Sequence, residues 1–467
     1  MPWRGLALLV AGAFFMENLD GTIVVTASER MAATFHVPPA ALNITITSYL
    51  LSLAMFIPVS GWMADRIGVK RVFLAAVVVF GVASVLCALS ESLAVLSAMR
   101  VLQGMGGAMM VPVGRLAVLR VVKKAEVIKA IAYLTWPALL APVIAPALGG
   151  LIVTYTSWRL IFTINAPLSL LALVAGARLL EPAPPVRGVQ LDWTGLVLSS
   201  AGIGGIAAGM EVATGAGGSE AAAIVLVAAG ALVAAGAVVH LRRSDRPLLD
   251  LSVFSIPTFR ITNLGGSLFR MAINAAPFLL PLMFEEVFSW SPVRAGAAIV
   301  PIFIGNVVVK PVTTPLMRRY GFRLVLLASN LALTLSFVAA ATFSPSTPAP
   351  VIVLVLFLSG VFRSTGYSAY NTVVYADIGP SQMNDANTLA SAIQQLTAGL
   401  GVAFGALCLR VAAPIVRLGG AHSTTRSAFV VALFVIALLP TLAAIESALL
   451  PANAGESLTT ERVSPPS

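Results

Sequence analysis

Residues 14–25 read FFMENLDGTIVV, an apolar stretch that carries two carboxylates, Glu17 and Asp20. What surrounds them decides the fold. Of the 467 residues, 58% are hydrophobic and 10% charged, with a mean hydropathy of +0.95; a soluble globular domain carries about 25% charged residues. The apolar residues fall in blocks of roughly 20, each long enough as a helix to cross a ~30 Å hydrocarbon core. About fourteen such blocks can be read, near 5–27, 42–64, 72–90, 93–119, 127–153, 159–180, 193–212, 221–241, 259–287, 295–317, 323–343, 350–376, 386–411 and 427–450. A transmembrane barrel would show ~10-residue segments of alternating polarity, whereas these runs are apolar all round and rich in Gly and Ala, as close-packed membrane helices are. The reading is an all-α polytopic membrane protein.

The formal net charge of +10 would suggest nucleic acid for a soluble chain. Here the basic residues sort by loop, and no nucleic-acid partner is expected. Arg66, Lys70 and Arg71 follow the second block, Arg120, Lys123 and Lys124 the fourth, Arg178 and Arg187 the sixth, Arg242, Arg243 and Arg246 the eighth, and Arg318, Arg319 and Arg323 the tenth. The intervening loops carry fewer, apart from Arg410, Arg417 and Arg426. By the positive-inside rule both termini and the even-to-odd loops are cytoplasmic. Arg4 precedes an apolar run, but Glu17 interrupts it and no small-x-small site follows, which reads as an uncleaved first helix. Cys87 and Cys408 read as small apolar groups, and His36, His240 and His422 as solvated side chains without companion ligands. No metal or cofactor is expected. No G-x-x-x-x-G-K-[ST] phosphate cradle is present, so the energy source is a gradient and not ATP.

The loop after the second block reads GWMADRIGVKRV (61–72), with Gly61, Asp65, Arg66, Gly68, Lys70 and Arg71. It resembles the loop signature of the major facilitator superfamily, in which such charges bridge helix ends and hold one state of an alternating-access cycle; Val69 stands where the family usually has a basic residue. The plain alternative is a cytoplasmic charge cluster. The fourth block supplies MRVLQGMGGAMMVPVG (99–114), whose Arg100, Gln103 and Gly104 match the family's R-x-x-Q-G pattern. An unpaired arginine inside a membrane costs several kcal/mol, so Arg100 implies a partner or a wet cavity, the alternative being a side chain that snorkels to an interface. The resemblance gives it a role in proton coupling. WPALLAPVIAPALGGLIV (136–153) is similar to the antiporter motif G-x-x-x-G-P-x-x-G-G, keeping Pro146, Gly149 and Gly150 with Ala141 and Ala145 in place of the first two glycines. Pro142 and Pro146 weaken the local backbone ladder, and small residues allow close approach, so this helix can bend and seal.

LDGTIVVTA (19–27) resembles the first-helix motif of the fourteen-helix drug:proton antiporters of the EmrB/QacA type, and SWRLIFTINAP (157–167), LDWTG (191–195), RPLLDLSVF (246–254) and SPVRAGAAIVP (291–301) follow that subfamily's order. The resemblance covers most of the chain. It implies two six-helix bundles, 1–180 and 251–450, a segment 181–250 with two inserted helices, and a tail, 451–467, that reads as disordered.

Glu17 and Asp20, at i and i+3, share a helical face, and a face with two acids looks into the protein. They are candidate proton sites, with a lock on Arg100 or a helix-capping role as the structural alternatives. The second half carries only basic residues inside its blocks: Arg270, Lys310 and Arg363. These are candidate substrate groups with Gln103, Asn274 and Tyr367; the alternative is structural pairing, for which Glu285 and Glu286 are available. The resemblance implies a proton-coupled exporter of amphipathic drugs. Three intramembrane cations favour instead an organic anion or an anionic metal chelate, and a non-transporting receptor or scaffold is a third reading. No nucleophile, base and orienting group recur at usable spacing, so an enzyme is not expected. The partners expected are a small-molecule substrate, protons and the lipid bilayer, for a monomer spanning a bacterial inner (plasma) membrane.

Overall fold

The computed structural model describes residues 3–182, 190–214, 219–418, 424–451 and 453–459. Every regular element among them is helical. In chain order they are α1 (Trp3–Ile23), α2 (Ser28–Phe35), α3 (Asn43–Ile67), α4 (Val69–Ala88), α5 (Leu93–Val121), α6 (Val127–Tyr155), α7 (Arg159–Thr163), α8 (Asn165–Leu179), α9 (Trp193–Thr214), α10 (Glu220–Arg243), α11 (Pro257–Glu286), α12 (Pro292–Ala298), α13 (Val300–Val308), α14 (Lys310–Thr342), α15 (Ala349–Val373), α16 (Met383–Leu418), α17 (Thr424–Ala448) and α18 (Glu456–Thr459).

Twelve helical stretches among the described residues are long and apolar enough to cross a membrane, and two shorter apolar ones, Ile144–Tyr155 and Val293–Val308, lie where the fifth and tenth blocks were expected. The first of these is the end of the continuous 29-residue helix α6, which matches the fifth block. Proline explains the tenth: Pro301 and Pro311 sit in the first turns of α13 and α14, where a missing N–H costs nothing, and the chain breaks at Ile299 and Val309 just before them. The segment is therefore three short helical pieces, the last opening with Lys310. α14 itself is two helices, because Gly321 takes a left-handed φ of 74° that a side chain rarely adopts. Gly68, at φ 97°, makes the same kind of break between α3 and α4.

Backbone contacts divide the chain into two units. The first comprises 1–122, 133–252 and 379–392; the second comprises 123–132, 253–378 and 393–467. In the first, α5 packs against α3 and α4, α1 lies against α5 and α8, and the pair α9–α10 joins through α3. Its glycines decide how close α5 comes: a Cβ on Gly104 would stand 2.6 Å from the Tyr49 carbonyl and 2.8 Å from Ser52 Cβ. Asp192 closes the inserted pair. Its carboxylate accepts the N–H of Gly195 at 2.8 Å and of Leu248 at 3.3 Å and meets His240 Nε2 at 2.9 Å, capping α9 and tying it to the end of α10. In the second unit α14 packs on α15 and α17, α13 on α15, and α11 on α17. The start of α16 belongs to the first unit although it follows most of the second in sequence.

Candidate functional site

The opening stretch forms the middle of α1, and it sets one carboxylate into a closed network. Asp20 is 1% exposed; Arg100 and Gln103, one turn apart on α5, are 0% exposed. Arg100 Nη1 donates to Asp20 Oδ2 and, at 2.8 Å, to Gln103 Oε1. Asp20 Oδ1 accepts from Gln103 Nε2 at 2.9 Å and from Asn165 Nδ2 at 2.8 Å. Ser84 Oγ takes both of those amides at 3.2 and 3.0 Å and donates to the Phe162 carbonyl. Arg100 Nε donates to the Thr45 carbonyl at 3.3 Å, and its guanidinium lies 4.1 Å from the centre of the Tyr49 ring. Arg100 is therefore buried against an acid and does not snorkel. A buried ion pair is kept by hydrogen bonds that fill its remaining sites, and nearly all of them are filled here.

Glu17 is different. Its side chain is half-buried, Tyr49 OH donates at 3.4 Å to its backbone carbonyl, and Oε2 is buried without a hydrogen-bond partner among the described residues. The two acids share a face as their spacing requires, yet one is committed and the other is not.

The loop residues separate as well. Asp65 pairs with Arg120 at 3.1 Å on the surface and accepts Asn384 Nδ2 at 2.6 Å. Asn384 also donates to the Gly61 carbonyl at 3.0 Å, where a Cβ would stand 2.5 Å from Thr388 Oγ1. Lys70 Nζ donates to the Ala177 carbonyl at 2.7 Å, whereas Arg66 and Arg71 are exposed and join no such cluster. Gly149 lies against Thr26 and Ile23 with no room for a Cβ, while Gly150 faces open space. Ala141 and Ala145 are fully buried in the core around Ile23, Leu96 and Phe162, so their methyl groups fit where the resembling motif has glycine. Pro146 is exposed on α6; the side chain of Pro142 lies outside the described residues.

In the second unit Arg270, Lys310 and Arg363 are 4%, 6% and 8% exposed. Lys310 Nζ donates to Ser368 Oγ at 2.7 Å, Asn274 Nδ2 donates to the Arg270 carbonyl at 2.8 Å, and Arg363 Nη2 donates to the Ile273 carbonyl. Arg363 Nη1 is buried with no hydrogen-bond partner among the described residues. Tyr367 is half-buried, and Glu285 and Glu286 are half-buried and exposed at the end of α11.

Sequence reasoning missed Asn165 and Ser84, which complete the shell of Asp20. It also missed the face Asn384, Asn387 and Ser391 at the start of α16. Arg115 of α5, 6% exposed, donates from Nε to Asn387 Oδ1 at 2.8 Å and from Nη2 to Ser391 Oγ, and Asn387 Nδ2 donates to the Pro112 carbonyl at 2.9 Å. The available signal was the i, i+3, i+7 recurrence of polar residues in QMNDANTLAS (382–391).

A helical bundle of this span number, with a buried acid–arginine pair between its first and fourth long stretches, defines a polytopic membrane transporter. The chain belongs to the Major Facilitator Superfamily, whose profile matches residues 8–406 and 262–458. Among curated relatives it is 36% identical over 401 residues to "Putative multidrug resistance protein MdtD" of Pectobacterium carotovorum, covering 86% of each chain. It is likewise 36% identical to the protein of that name in Shigella boydii, over 86% of this chain and 85% of the relative. Among solved structures it resembles the proton:xylose symporter XylE, with a TM-score of 0.64 at 14% identity over 97% of each chain. The human organic anion transporter MFSD10 superposes with a TM-score of 0.65 at 15% identity, covering 95% of this chain and 98% of that one. These two likenesses show the fold.

Proposed function

We propose that the chain is a proton-coupled exporter of amphipathic small molecules in a bacterial inner membrane, with both termini cytoplasmic. Glu17, Asp20 and Arg100 form its proton-coupling site. The observation that carries this reading is the contrast within α1. Asp20 is saturated by Arg100, Gln103 and Asn165, while the neighbouring Glu17 holds a buried carboxylate oxygen with no hydrogen-bond partner among the described residues. A carboxyl so placed can take up a proton and release it without dismantling a hydrogen-bond network. The multidrug name of the relatives supports the substrate class. Asp65, Gly61 and Asn384 act as the conformational clasp, and Gly149 as a close-packing point on α6. The test is export from everted vesicles energised by a pH gradient, screened over amphipathic cations and organic acids. Gradient-dependent movement of the first class is expected; no movement of any compound would reject the reading.

A second reading is favoured by one observation. Arg363 presents a buried Nη1 without a hydrogen-bond partner among the described residues, on a unit that also buries Arg270 and Lys310. That donor suits an anionic substrate. On this reading Arg363→Gln keeps normal yield but loses affinity for an organic acid by about tenfold, the equivalent of one lost charged hydrogen bond. Unchanged affinity for every transported acid rejects it.

A further inference from the structure

We propose that Arg115 is a two-position arm that couples the protonation of Glu17 to the seating of the start of α16 on α5. The inference rests on the reading of Glu17 as a proton-exchanging group and adds the part that reads its charge.

α1 and α5 run antiparallel in register. Val10 lies opposite Gly114, Glu17 opposite Gly107, and Asp20 is bonded to Gln103. Side chains on a helix lean toward its N-terminus, so Arg115, two turns beyond Gly107, reaches back toward the level of Glu17. Glu17 Oε2 faces α5, 3.6 Å from where a Cβ on Gly107 would stand. Three polar or charged groups near Glu17 among the described residues are already engaged. Asp20 on its own helix is closed in by Arg100, Gln103 and Asn165; Tyr49 of α3 gives its hydroxyl to the Glu17 backbone; Arg100 of α5 belongs to Asp20. Among the hydrogen bonds of Arg115 to α16 are two to neutral groups, the amide of Asn387 and the hydroxyl of Ser391.

The two ends of this arrangement compete. When Glu17 is protonated it offers no charge, and the guanidinium remains on Asn387 and Ser391, holding α16 to α5. When Glu17 releases its proton, the carboxylate is a stronger acceptor than an amide or a hydroxyl and draws the guanidinium away. The bonds of Asn384 to Asp65 and the Gly61 carbonyl and of Asn387 to the Pro112 carbonyl do not involve the guanidinium and remain.

The experiment is hydrogen exchange of the full chain in lipid nanodiscs without substrate, followed at residues 384–392 between about pH 5 and about pH 9 and corrected for intrinsic exchange. Wild type is expected to lose about tenfold in protection at the alkaline end, the loss of one charged hydrogen bond. Glu17→Gln is expected to stay protected throughout, and Arg115→Gln to be weakly protected throughout. Should Arg115→Gln fail to fold, the double variant Asn387→Ala with Ser391→Ala removes the arm's far grip and is expected to match that low, flat profile. A wild type without a pH response, or a response that survives Glu17→Gln or loss of the arm's grip, overturns the linkage. Loss of gradient-driven flux in Glu17→Gln with an unaltered exchange profile overturns it too, but leaves the proton-coupling reading standing.

Discussion

Asp20 and Glu17 differ by one turn of helix, and that turn separates a buried charge with a full shell from one without. The consequence for mutation is unequal. Asp20→Asn leaves the fully buried Arg100 facing a neutral amide, and removing one partner of a buried pair costs about 3–5 kcal/mol; a lower thermal midpoint and lower yield in a detergent-stability assay are expected. Glu17→Gln is expected to melt within a degree or two of wild type, since no side-chain hydrogen bond to Oε2 is lost. Equal midpoints for the two variants would contradict this description of the network. The spacing in the opening stretch reveals a shared face but not which acid the arginine takes. That Asp20 and Arg100 face inward was legible, since charge inside an apolar run has few explanations; Gln103, read as a substrate group, lies instead in the shell of Asp20. Asn165 was not, for an uncharged amide near a helix start has many.

Among the elements, the inserted pair α9–α10 shows how a single side chain can set a local boundary. Burial alone would raise the Asp192 carboxyl, but the N–H of Gly195, His240 and the N–H of Leu248 more than offset it and hold it below the ordinary value. The sign follows: the tether is complete above the ordinary aspartate value of about 3.9 and is lost as the pH falls through the lower value of the folded chain. Exchange protection at residues 193–196 is therefore expected to be flat from neutral pH down to about 4 and to drop below it, with Asp192→Ala unprotected throughout and about 1 kcal/mol less stable, as for a lost helix cap. Protection falling already near neutral pH would contradict the assignment. Hydropathy located most helices to within a few residues, because length and apolarity are local properties. It joined 295–317 into one span since Pro301 and Pro311 do not alter mean hydropathy, although each ends the turn before it. The pairing of the polar face of α16 with Arg115 was illegible for another reason: Arg115 and Asn387 are 272 positions apart, and nothing local in either stretch names the other.

For the whole molecule, the family gives a transporter, and the loop charges are what support the proposed cytoplasmic placement of both termini. A reporter fused after residue 250 is expected to read cytoplasmic and one at residue 346 external; the reverse at either point would remove the topology. The central claim, that substrate leaves in exchange for protons through Glu17, is tested most directly in proteoliposomes carrying an internal pH indicator. Addition of a transported amphipathic cation to wild type is expected to move protons in the opposite direction, with Glu17→Gln binding the compound yet moving none. Full proton movement in Glu17→Gln would contradict the account.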